Sequence, residues 1–102
     1  MVSAAAQTPL PDLATAVQAA LADAKRATGQ AAKVVKKEEV TWPDASLGCP
    51  EKDMMYGQAL TPGYRIRLQA GSRTLDYHAS AQGTIVQCPR SRAKPPLPRD
   101  RQ

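Results

Sequence analysis

The sequence predicts an α+β domain: an N-terminal helix packed on a three- to four-stranded antiparallel sheet, with one disulfide and a basic, Pro-rich C-terminal tail expected to be disordered. Three observations lead there. An Ala-rich segment with apolar residues at helical spacing opens the chain. Alternating apolar and polar residues follow in the second half, broken by a Gly-Ser pair. Two Cys, at 49 and 88, bracket that alternating stretch.

At 102 residues there is room for one small domain. The expected division is a flexible N-terminal segment over 1–10, one domain over 11–89 and the tail over 90–102. Much of the 42% apolar content is Ala, and Phe is absent, so a covalent staple would help so small a core. The formal charge of +5 is concentrated late: Arg90, Arg92, Lys94, Arg99 and Arg101 stand against Asp100 alone, leaving the remainder near neutral.

The helix is expected over 12–28. Asp12 is its N-cap, after Pro9 and Pro11, where proline does little harm. Leu13, Val17, Leu21 and Ala24 form its apolar stripe. Lys25 and Arg26 suit the negative end of the dipole, and Gly29 suits a left-handed C′ position.

Residues 32–42 predict a strand with imperfect alternation. Val34, Val40 and Trp42 share a face with Lys36 and Glu38, a conflict that a bulge or an exposed strand end would resolve. Pro43 ends the strand. Thr61-Pro62-Gly63-Tyr64 has the Pro-Gly order of a type II turn. A hairpin then follows, with Gly71-Ser72 as its two-residue turn. In that register Leu68 faces Leu75, Ile66 faces Tyr77 and Tyr64 faces Ala79, while Arg67 faces Asp76 and Arg65 faces His78 on the other side. Residues 80–83 form a second turn and 84–88 the last strand.

Two Cys without a C-x-x-C, and one His, do not make a zinc site. In a small domain they predict a Cys49–Cys88 disulfide, the alternative being two free buried thiols. Closing a loop of about 40 residues contributes roughly 4 kcal/mol in the chain-entropy model. A disulfide implies an oxidising compartment, so a periplasmic or secreted protein. No export signal is legible, because Val2–Ala6 is too short and has no basic residue before it. Either the signal is not part of this sequence, or the protein is cytosolic and its thiols are reduced. No stretch approaches the length of a membrane span.

Trp42-Pro43-Asp44-Ala45-Ser46-Leu47-Gly48-Cys49-Pro50, Met54-Met55-Tyr56, Thr61-Pro62-Gly63-Tyr64-Arg65-Ile66, Tyr77-His78 and Val86-Gln87-Cys88 follow one pattern. It resembles a family of small exported bacterial domains of unknown function, over roughly residues 12–88. Lys52-Asp53 departs from the Pro-Gly often found there. The resemblance implies localisation and architecture, and no reaction. The order of helix then meander is also similar to cystatin-like and PepSY-type modules, some of which restrain proteases, at the level of fold alone.

Candidate chemistry is sparse. Cys49 with His78 could pair nucleophile and base, yet His78 has no evident orienting partner, and Glu51 and Asp53 flank Lys52 as a solvated loop would. Met54, Met55, His78 and reduced Cys could ligate copper, although a second His is missing. Asp44 is expected to accept backbone N–H groups of Ser46 and Leu47, and Gly48 to take a positive φ. Arg92-Ala93-Lys94-Pro95-Pro96-Leu97-Pro98 fits an SH3-groove ligand, as it fits a flexible tail. With no aromatic in it, the tail predicts no specific nucleic-acid binding.

The expectation is therefore a non-enzymatic exported domain without a cofactor. It would bind another envelope or extracellular protein through loop 43–62, with Trp42, Asp44, Leu47, Met54, Met55 and Tyr56 as candidate contacts and Leu47, Met54 and Met55 exposed. Protease restraint is its sharper form. The alternatives are a structural cell-envelope module, and a polyanion binder acting through the basic tail. Trp42, Leu47 and Tyr56 folding back as a satellite core is the competing account of the loop. Intact mass with thiol alkylation of protein from an oxidising compartment should show a chain two hydrogens lighter than the reduced form, with neither Cys alkylated.

Overall fold

The computed structural model describes residues 12–98; the expected flexible segment 1–10 and residues 99–102 lie outside them. One helix, α1 (Leu13–Thr28), precedes four strands, β1 (Lys33–Trp42), β2 (Thr61–Ala70), β3 (Arg73–Ser80) and β4 (Ile85–Gln87). The strands form one antiparallel sheet in the order β1-β2-β3-β4. Sequential neighbours pair throughout, so no crossover is needed.

Both ends of α1 follow their caps. Asp12 Oδ1 accepts the Thr15 N–H at 2.9 Å, and Gly29, at φ 74°, donates its N–H to the Lys25 carbonyl at 2.8 Å. The buried stripe is Ala16, Val17, Ala20 and Ala24. These small side chains let the helix lie close on Tyr64, Ile66, Leu68, Ala70, Leu75, Tyr77 and Ala79, which form the main core with it. Tyr77 is completely buried, yet its hydroxyl reaches Asp23 Oδ2 at 2.7 Å. Burial above all pushes that phenol's pKa well up.

The hairpin β2–β3 has the register expected from both faces, from Leu68 opposite Leu75 to Tyr64 opposite Ala79, with Arg67 opposite Asp76 and Arg65 opposite His78. Gly71 turns it at φ 61°. The conflict in β1 is resolved by an irregularity between Val34 and Lys36. Val34 pairs with Leu68 on the helix side; past Val35, Lys36 pairs with Arg67, Glu38 with Arg65 and Val40 with Gly63 on the far side. Val40 and Trp42 thus share a face with Lys36 and Glu38, and Val34 does not.

Two expectations are corrected. The Thr61–Tyr64 segment is not a turn: β2 begins at Thr61, with Trp42 opposite Thr61, Thr41 opposite Pro62 and Val40 opposite Gly63. Pro62 is tolerated because the β2–β3 ladder ends there. Its carbonyl accepts Ala81 N–H at 2.9 Å, and proline has no N–H to return. Gly63 is required for space: a Cβ there would lie 2.8 Å from Trp42 Nε1 and collide with the Ala79 carbonyl. Second, the expected disordered tail does not begin at residue 90. Through Pro98 the chain lies on the domain, with Lys94 N–H donating to the Gly48 carbonyl at 2.8 Å and Leu97 N–H to the Thr41 carbonyl at 2.9 Å. Thr41 is on the outer edge of the sheet, and the tail takes up a carbonyl that β2 cannot reach.

Gly63→Ala should destabilise the fold by about 3 kcal/mol, since neither the indole nor a β3 carbonyl can yield. Gly57→Ala, whose Cβ would meet only Ala45 at 4.0 Å, should stay within about 0.5 kcal/mol of the parent. Urea denaturation of the two variants side by side checks this.

Candidate functional site

The far face of the sheet is built around Trp42. Its side chain is fully buried, and Nε1 donates to the Ala79 carbonyl at 3.0 Å. Reaching β3 carries the indole across Gly63, whose missing Cβ makes room. On its other side lies Gly48, where a Cβ would fall 2.5 Å from Trp42 Cζ3 and 2.7 Å from the Lys94 carbonyl. The His78 ring stacks on the indole at 4.5 Å between centroids and 22° between planes. Val40, Trp42 and Leu47 form this second core, with Val86 packed against it.

The loop after β1 is shaped to cover that indole. Asp44 Oδ1 accepts from Ser46 N at 2.9 Å and Ser46 Oγ at 2.6 Å, and these bonds hold the carboxyl below its ordinary pKa. Leu47 N–H turns instead to the Asp44 backbone carbonyl, at 3.4 Å. Leu47 (φ 59°) and Gly48 (φ 69°) then follow one another in the left-handed region. For leucine this costs about 1–2 kcal/mol. It is held there by burial of its side chain and by His78, whose Nδ1 lies 2.6 Å from the Leu47 carbonyl. A carbonyl can only accept, so Nδ1 carries the proton. Burial lowers the pKa of His78, so the neutral imidazole is favoured.

Cys49 follows, disulfide-bonded to Cys88 across a Cα–Cα distance of 5.8 Å, with both residues buried. Arg92 lies over the bond, its Nη2 3.4 Å from Cys49 Sγ. Ala45 N–H donates to the Gly57 carbonyl at 3.0 Å and draws the far side of the loop to its base. Within the tip, Glu51 N–H donates to the Tyr56 hydroxyl at 3.0 Å and Met54 N–H to the Glu51 carbonyl at 3.2 Å.

The six candidate contact residues therefore divide. Trp42 and Leu47 are core; Leu47, expected at the surface, is only 4% exposed. Asp44 is the turn carboxylate, and Tyr56 is a half-buried brace. Met54 and Met55 are 57% and 95% exposed, joined by Leu60 at 65%, which sequence reasoning did not single out. The satellite-core account holds for Trp42 and Leu47, and the exposed-loop account for the Met pair.

The disulfide takes Cys49 out of any thiolate–imidazole pair with His78, and both Cys out of a copper ligand set. Glu51 and Asp53 are exposed on the tip. The residues of the SH3-type motif lie on this domain, with Pro96 and Leu97 half-buried and Lys94 and Leu97 bonded through their backbones.

A family model described as a domain of unknown function (DUF8738) matches residues 14–88. Comparison with curated proteins and with solved structures returned no match. The matched span runs from the first turn of α1 to the second Cys and leaves out the tail.

The His78 environment has a pH consequence. Its folded pKa lies below the ordinary 6.5, so as pH falls through the unfolded value the unfolded chain takes up a proton that the native fold refuses. Stability is fully present above about pH 6.5 and is lost as pH drops toward the folded pKa. His78→Phe should flatten that dependence between pH 7.5 and 5, read from denaturation midpoints.

Proposed function

The chain belongs to the family of domains of unknown function matched over residues 14–88, and we propose that it is a non-enzymatic binding module of an oxidising, extracytoplasmic compartment that engages another protein through the loop tip 51–60. One observation carries this reading. Met54, Met55 and Leu60 are all exposed on a loop whose base is fixed by the Cys49–Cys88 bond and the Ala45–Gly57 hydrogen bond.

A free loop exposing three large apolar side chains would lose much conformational entropy when a partner ordered it. Here the base is already held, and the Tyr56 hydroxyl and Glu51 carbonyl brace the tip, so less remains to be lost. Methionine suits such a contact because its unbranched, polarisable side chain adapts to an apolar groove. A surface this small draws its affinity from a few anchors, and Met55, almost wholly exposed, is the first of them. Trp42, Asp44 and Leu47 act from beneath, as supports.

Two further points support the compartment and the sharper form. A buried disulfide in a small domain fits an oxidising location. A loop held at both sides of its base and exposed between them is also the form in which substrate-like inhibitors present themselves to proteases.

A Met54→Asp/Met55→Asp variant should keep the parent's thermal midpoint, because neither side chain is in either core. It should lose the partner that the parent captures from an extracytoplasmic extract. Equal capture by parent and variant would reject the loop reading. Dose-dependent inhibition in a panel of serine and cysteine proteases, lost in the same variant, is the outcome expected of protease restraint; a flat response across the panel rejects that form alone.

A further inference from the structure

The half of the sheet's far face that the described residues leave open carries a different feature. Lys36 and Glu38 of β1, Arg65 and Arg67 of β2, and Asp76 of β3 share that side by register, and Arg90 reaches it from the tail. Arg65 contacts Glu38 Oε2 through Nε at 2.7 Å and Nη2 at 2.6 Å, and Lys36 Nζ stands 3.8 Å from the same oxygen. Arg67 donates Nε to Asp76 Oδ1 at 2.7 Å, while Arg90 Nε lies 3.7 Å from Oδ2. Four cations thus share two carboxylates, leaving two positive charges uncompensated on one small area.

Height decides which sign the solvent meets. The Glu38 and Asp76 side chains are only 19% and 13% exposed, against 57% for Lys36, 44% for Arg67 and 73% for Arg90. The carboxylates lie low in the sheet and the cations stand above them. Arg65, Arg67, Asp76, His78, Arg90 and Ala93 line a cleft of about 390 Å³. Asp76 holds Arg67 through its Nε side and so fixes the guanidinium without using up its outer donors. A pre-positioned guanidinium loses less freedom on gripping a ligand than one free on the surface.

We propose that this lattice binds a phosphate-type dianion, its charge matched by the two uncompensated cations and its oxygens held by Arg67 and Arg90. Guanidinium groups bind phosphate oxygens in paired, charge-assisted hydrogen bonds, which a halide cannot reproduce. The Asp76 carboxylate opposes the ligand and sets its approach, from the solvent side of the two arginines. These residues are distinct from the loop tip, so either reading can fail without the other.

The test is a ¹H–¹⁵N titration of the full chain with inorganic phosphate, against chloride at equal ionic strength. In parallel, sedimentation is measured with phosphatidylcholine vesicles, with and without phosphatidic acid. Saturable shifts at residues 65, 67, 76 and 90 are expected, weakened by added salt. Arg67→Gln/Arg90→Gln should weaken binding about tenfold, and Asp76→Asn should strengthen it. Arg26→Gln, an exposed cation on α1, should change nothing, and each variant's spectrum reports whether it is folded. A response to free phosphate with silent vesicles makes the ligand a soluble phosphorylated molecule. Binding to phosphatidic acid that the double variant loses makes it a lipid headgroup. Shifts spread over every Lys and Arg, or a double variant that titrates like the parent, would overturn the proposal.

Discussion

The indole of Trp42 is the constraint on which the rest of the far face depends. It is buried without any exposure, reaches across the sheet to donate to the Ala79 carbonyl, and is stacked by His78. That reach forbids a Cβ at Gly63 below it and at Gly48 beside it. It favours a neutral His78, because a charged ring would have to be desolvated in the same cluster. It also gives Leu47 the apolar surface that compensates its left-handed backbone. Loop, turn and tail are fitted to one ring.

The two faces of the sheet solve different problems. On the helix side, Ala16, Ala20 and Ala24 let α1 approach closely, so Ile66, Leu68 and Tyr77 are sealed. Among the described residues, no second helix lies on the far side. Of the described residues, a loop and a tail cover the half around Trp42, and the other half meets water with four cations set over two carboxylates. Charged pairs of this kind contribute little stability singly, so their value to the fold is to keep an open sheet face soluble.

Much of the fold was legible because independent signals agreed. Asp12 and Gly29 bracket the helix, and the hairpin register satisfied Ile66 with Tyr77 on one face and Arg67 with Asp76 on the other. The bulge in β1 was legible as a conflict, since Lys36 and Glu38 could not share a buried face with Val34. What stayed hidden left no local trace. Pro62-Gly63 carries the composition of a turn, yet Gly63 is there to admit an indole from another strand. Leu47 in the left-handed region is opposite to what its side chain prefers. The tail docks through the backbone N–H groups of Lys94 and Leu97, which every non-proline residue has, so nothing in its composition marks the docking. Of the site, the exposed Met pair and the disulfide were legible; the burial of Leu47 and the exposure of Leu60 were not.

The burial of the disulfide sets an order of events. Cys49 and Cys88 are 4% and 2% exposed, and Arg92 lies against Cys49 Sγ. A thiol oxidant must reach a sulfur directly to exchange with it. The bond therefore has to close while residues 89–98 are still off the domain, and the tail seals it afterwards. The tail is thus a latch: oxidation comes before it docks, and once it is down a reductant finds the bond as closed to it as the oxidant would.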